Sequence, residues 1–257
     1  MHFKKVLIMV TALAMLGSMS VAFAQDEEKN DDLARVAIIT AKDGHGKALE
    51  EAIVEYHHFM GSKEGAMRYH WFSYVTGPDT GKYLARSGDH NYEDFDAKHD
   101  WDEEASEKFA SMVQPHIKNA VVTITKGNEE MGIWPDSLED YPYYSVTHWH
   151  VKSGKGNEFN EGLKKIDGIL KEGDWPNYYT FIRPVSGGVG NTVMVVSPRK
   201  SFADMAPKEP EFMEIMSKAM GEDEAKAFMA DWGSTFKSGK NGLLKHMPKQ
   251  SDYGDSK

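Results

Sequence analysis

The triplet His148-Trp149-His150 is the stretch of this chain best equipped for chemistry. It lies in Ser145 to Val151, a run of β-strand composition, where alternate side chains point to opposite sides. Both imidazoles therefore project from one face. Such a pair can hold a metal ion if a third donor joins it, can relay a proton near neutral pH, or can stand as polar rings hydrogen-bonded across a sheet. His70 or a carboxylate would have to be that donor, and none stands at a readable spacing, so we assign no metal. Four further residues complete the expected ligand-contacting set: His70 and Trp71 in the run Arg68 to Val75, and Tyr179 and Arg183 in the run Tyr178 to Val185. Trp71 and Tyr179 offer flat apolar surface, and Arg183, like Arg86, is suited to anchoring an anion or to reaching solvent at a sheet edge.

Other residues that invite a functional reading have simpler ones. His57 and His58 are expected on the solvent-facing edge of a helix, because a second copy of that helix carries Asp167 and Gly168 there. His99 and His116 belong on or near another helix, where one histidine at helical spacing among Phe109, Met112 and Ile117 reads as a core-edge residue. Gly44-His45-Gly46 and Gly154-Lys155-Gly156 each precede a helix; without a longer nucleotide fingerprint they read as strand-to-helix turns. There is no Gly-x-Ser-x-Gly elbow, no His-Glu-x-x-His helix and no cysteine, which excludes disulfides.

Met1 to Ala24 has the three parts of an export signal: Lys4 and Lys5, an apolar run from Val6 to Leu16, and Ala22-Phe23-Ala24 before Gln25. Cleavage there would give a periplasmic or secreted protein with no membrane attachment. The formal charge of −10 becomes −12 once Lys4 and Lys5 are removed. Nucleic acid is thereby excluded as a partner, since its phosphates would be repelled. Residues 25–33 read as an acidic disordered lead-in and residues 248–257 as a disordered tail.

The elements that must position these residues are stated twice. Val36 to Ser87 overlays Val146 to Ser197 without a gap, pairing Lys42, Gly44 and Gly46 with Lys152, Gly154 and Gly156, and Tyr69 with Tyr179. The helical stripe Leu49, Ile53, Tyr56 and Met60 is answered by Phe159, Leu163, Ile166 and Leu170, again at an offset of 110. Each copy reads strand, helix, hairpin, helix, strand. In the first, the hairpin joins Arg68 to Val75 with Lys82 to Ser87, the second helix carries Phe109, Met112 and Val113, and Ala120 to Thr125 closes the unit. In the second, Gly242 to Met247 closes it, and about ten extra residues centre on Pro207 to Met220. This predicts an α+β fold of two tandem ferredoxin-like (βαββαβ) domains, residues 34–127 and 143–247, joined by a linker over 128–142.

A four-stranded sheet with helices on one face must cover the other, and a second copy is the simplest cover. The pattern resembles the dimeric α/β-barrel superfamily, which includes antibiotic biosynthesis monooxygenase, NIPSNAP-like, EthD-like and chlorite dismutase-like families. The run Tyr92 to His99 is similar to an aromatic-acid-apolar-His stretch common among them. The resemblance implies that two antiparallel sheets pair into a barrel. Trp149 and Val151 correspond to Ile39 and Ala41, apolar residues suited to lying under helices, so His148 and His150 are expected to look into the barrel.

The expectation for function is an exported protein that binds a small apolar or aromatic molecule between the two halves. The resemblance keeps two others open, a monooxygenase-like oxidoreductase or isomerase and a haem-binding protein like the chlorite dismutases, which hold haem through a histidine; the resemblance would give that role to His99 or His116. No cofactor is assigned. Further association into a homo-oligomer is compatible with the pattern.

Overall fold

A computed structural model describes residues 31–254; the expected export signal falls outside them. The first copy comprises β1 (Leu33–Ala41), α1 (Gly46–Gly61), β2 (His70–Thr76), β3 (Tyr83–His90), α2 (Asp102–Met112) and β4 (Ile117–Ile133). The second comprises β5 (Tyr143–Val151), α3 (Gly156–Glu172), β6 (Tyr179–Ser186), β7 (Thr192–Arg199), α4 (Phe212–Met220), α5 (Glu222–Gly233) and β8 (Phe236–His246). The extra residues of the second copy form α4. The strand expected to end at Thr125 continues to Ile133, so the connection between halves is 134–142 rather than 128–142.

The two strand-to-helix turns are the same object. Gly44 and Gly154 have φ of +78° and +76°, a left-handed conformation that side chains rarely adopt, and nothing lies within 4 Å of a Cβ built on either. Backbone conformation, not crowding, therefore requires glycine at both positions.

All eight strands close into one antiparallel barrel in the order β1-β3-β2-β8-β5-β7-β6-β4. Within each half the order is that of a ferredoxin-like sheet. The halves join edge to edge, with Phe72 opposite His246 and Tyr74 opposite Leu244 on one seam, and Thr125 opposite Pro184 and Lys126 opposite Arg183 on the other. Closure leaves no exposed sheet edge among the described residues. The copies thus cover each other by enclosing a common interior.

Apolar burial sits mainly outside the barrel, between strands and helices. In the first half Leu49 and Ile53 of α1 meet Trp71, Tyr83 and Ala85. In the second, Phe159, Leu163 and Ile166 of α3 meet Phe181, Val193, Met216 and Trp232. Trp149 anchors this layer, edge-on to Trp232 at 5.3 Å and to Phe159 at 6.0 Å.

Of the tail expected to be disordered, residues 248–253 are packed. Pro248–Ser251 forms a 3-10 turn and Tyr253 is 9 % exposed. Ser251 Oγ and Tyr253 Oη accept from the backbone N–H groups of Trp71 (2.9 Å) and Tyr69 (2.7 Å). The strap also buries His57, 3 % exposed and stacked on Tyr253 at 4.2 Å, which corrects its placement on a solvent edge. Among the described residues no helix is long and apolar enough to cross a membrane.

Candidate functional site

The barrel encloses a cavity of about 1790 Å³, larger than an ordinary small-ligand pocket of about 300–1,000 Å³. Strand parity decides what lines it. From the first copy Val36, Ile38, Phe72, Tyr74 and Leu84 face inward, and from the second Val146, Ile182, Met194, Val196 and Leu244. Tyr74, Val146 and Leu244 are buried there and pack with Ile38, Phe72, Tyr144 and Met194, which makes a continuous apolar wall.

Polar groups gather at the two ends of this wall. At one end are His148 and His150 of β5, Thr192 of β7 and Lys240 of β8. His150 Nδ1 lies 3.1 Å from Thr192 Oγ1. Lys240 is ion-paired with Asp79, which Lys82 also contacts at 2.7 Å. Burial raises the Asp79 carboxyl, but hydrogen bonds from Lys240 and Lys82 outweigh it and hold Asp79 below its ordinary range. Burial, with Lys240 and His150 adding, pulls His148 down to about 4. At neutral pH this imidazole is an uncharged proton acceptor facing an apolar chamber.

At the other end are His70 of β2, Arg86 of β3, Tyr144 of β5 and His246 of β8. His70 and Arg86 are opposite each other in the β2–β3 register. The His70 and His246 ring centroids are 5.9 Å apart, and His246 in turn lies 5.3 Å from Phe72. Burial lowers His70, with Arg86 adding to the effect, and burial with His70 lowers His246.

Of the expected contact residues, the structure therefore brings His148, His150 and His70 to the cavity. Tyr179 also touches the lining of the cavity, whereas Trp71 and Arg183 lie elsewhere. Trp71 is buried under α1 beside Leu49 and Ile53. Tyr179 turns its ring to the helix layer and donates to Asp167 Oδ1 at 2.8 Å, and Arg183 donates to Asn160 at 2.6 Å on α3. Positions 71, 179 and 183 share the outward parity of Trp149; inward positions alternate with them. Sequence reasoning missed Tyr144, Lys240 and His246. The duplication carried a usable signal, since Arg86 and Val196 stand 110 apart and both face the lumen.

Among the described residues no group of three or more His, Asp or Glu is placed to hold a metal ion. Haem would need an axial nitrogen aimed into open space. His116 lies outside the cavity with Nδ1 3.0 Å from His45 Nδ1. His99, at the cavity rim, stacks on Trp101 at 4.4 Å, with Nδ1 3.6 Å from Asp102 and Nε2 against Gly65. Neither residue expected as a haem ligand fits that role.

No family model and no curated protein matches the chain. Solved structures match it across most of its length. An anthrone oxidase-like protein aligns at TM-score 0.53 and 13% identity, covering 85% of this chain and 92% of its own. A candidate monooxygenase from Lactobacillus acidophilus NCFM aligns at 0.52 and 10%, covering 84% and 94%. A chlorite dismutase variant from Candidatus Nitrospira defluvii, solved with cyanide, aligns at 0.50 and 9%, covering 86% and 93%. The chain thus shares with these proteins its fold, two ferredoxin-like halves whose antiparallel sheets close into one barrel. At such identities the likeness is one of fold, and function must be argued from the site.

Proposed function

We propose that this protein binds one small, predominantly apolar or aromatic molecule within its barrel, and that it does so after export. The observation that carries the binding reading is the wall: Phe72, Leu84, Val146, Met194, Val196 and Leu244 surround a chamber large enough for a polycyclic or long-chain ligand, with the histidines, Arg86 and Lys240 gathered toward its ends. A chamber of uniform polarity would hold water or a sugar; this one favours transfer of apolar surface out of water. Export rests on the sequence of Met1 to Ala24 alone.

N-phenyl-1-naphthylamine, a neutral probe that fluoresces on leaving water, tests the binding reading. It is expected to titrate saturably at one site, and Val196→Trp, which fills the lumen without touching the helix layer, should weaken it at least about tenfold. Binding unaffected by that substitution places the probe elsewhere and removes the assignment.

One observation favours a second, catalytic reading. His148 is held neutral beside the same apolar wall. A base so placed is suited to taking a proton from an activated C–H or O–H of an aromatic substrate, the step an oxidase or monooxygenase without a resident cofactor would begin with. Two of the similar structures are described by such activities.

A further inference from the structure

We infer that the ligand carries an anionic head, a carboxylate or sulfonate, and that Arg86 receives it at the end of the barrel where His70, Tyr144 and His246 converge. This rests on the binding reading above and specifies its ligand.

Three cationic side chains line the cavity: Arg68, Arg86 and Lys240. Lys240 is committed to Asp79, and Arg68 lies with its guanidinium 4.5 Å over the Tyr253 ring and donates to Gly61 O at 2.9 Å. Arg86 has no such commitment. It is half-buried, and among the described residues its side chain makes no hydrogen bond or ion pair. A guanidinium presents five donors in a planar fork matched to two oxygens of an oxyacid. Leaving that fork unpaired beside an apolar wall is unfavourable, and a bound oxyanion would satisfy it.

The backbone makes room for this group. A Cβ at Gly88, the next inward position of β3, would collide with Arg86 Nη1 and lie 2.7 Å from its Cζ. Glycine there leaves the guanidinium lying along the strand. Its neighbours suit a head group joined to an apolar body. His70 stands directly across the β2–β3 ladder, and the His246 ring is steadied by Ser251 Oγ at 3.1 Å from Nε2. Phe72 then meets Tyr144 edge-on at 5.3 Å, so the wall begins within one residue of the charge. Asp89 is the carboxylate within electrostatic reach of His70, and it forms no ion pair with Arg86.

The test compares the neutral probe N-phenyl-1-naphthylamine with 8-anilinonaphthalene-1-sulfonate, which has the same aromatic skeleton plus a sulfonate. The wild-type protein is expected to bind both, the anionic probe more tightly. Arg86→Gln should weaken the anionic probe about tenfold or more while changing the neutral one less than about twofold; Arg86→Lys should keep part of the preference. A wild-type protein that binds neither probe overturns the chamber as a binding site. A protein that binds the neutral probe, yet shows no loss for the anion on Arg86→Gln, leaves the chamber standing and overturns the anion site. A second measurement needs no variant. The His70 imidazole, followed by NMR, should titrate at higher pH with the sulfonate bound than with the neutral probe; equal midpoints also overturn the proposal.

Discussion

At the residue scale, the decisive variable is which side of a strand a residue occupies. The company of Trp149 points His148 and His150 inward, and the same parity turns the side chains of Trp71, Tyr179 and Arg183 outward. Residue type alone, aromatic or cationic, does not carry that information. Buried histidines make a further consequence measurable. His57 accepts from Tyr253 Oη at 3.2 Å, and burial, partly offset by the backbone carbonyl of Gln250, lowers it to about 4. The unfolded chain takes up this proton below about pH 6.5 and the folded chain only below about pH 4, so the unfolded state binds more protons in between. Stability from His57 is fully present above pH 6.5 and falls by about 3 kcal/mol as pH drops to 4. Denaturation of His57→Phe, which keeps the stack on Tyr253 but cannot titrate, should show a shallower loss across that window; parallel profiles would refute it.

At the element scale, the internal overlay exposed the strands and first helices because it doubled a weak periodicity. It said nothing about segments outside the repeat. α4 fills the place of the extra residues, packing Ile215 and Met216 into the second core. The strap after β8 reads as polar and short, and its worth comes from contacts far away in sequence: Tyr253 lies 184 residues from its partner Tyr69 and Ser251 lies 180 from Trp71. Removing residues 248–257 would uncover His57 and orphan two backbone donors, at about 1–3 kcal/mol per buried unpaired group. Thermal melting of the truncated protein should therefore fall by at least about 5 °C. An unchanged melting temperature would mean that the strap contributes nothing.

At the scale of the whole molecule, the two copies are parts of one closed sheet. Residues 31–138 made alone would expose the β2 and β4 edges, each a row of unpaired donors and acceptors. That fragment is expected to pair with itself; sedimentation showing a folded monomer would count against the seams as essential to the architecture. The overall plan was legible in the sequence because a duplicated half leaves one sheet face bare. The lumen, with its large volume and two polar ends, was not, since it depends on how far the joined sheets stand apart.

A ring of strands without a loose end also governs traffic. No two neighbours can separate sideways without severing a ladder of backbone bonds, so a guest must travel along the axis, past the rim residues 88–99 or 134–142 at one pole or the hairpin tips at the other. Residence time should then answer to those rims, and hardly to anything done to the staves.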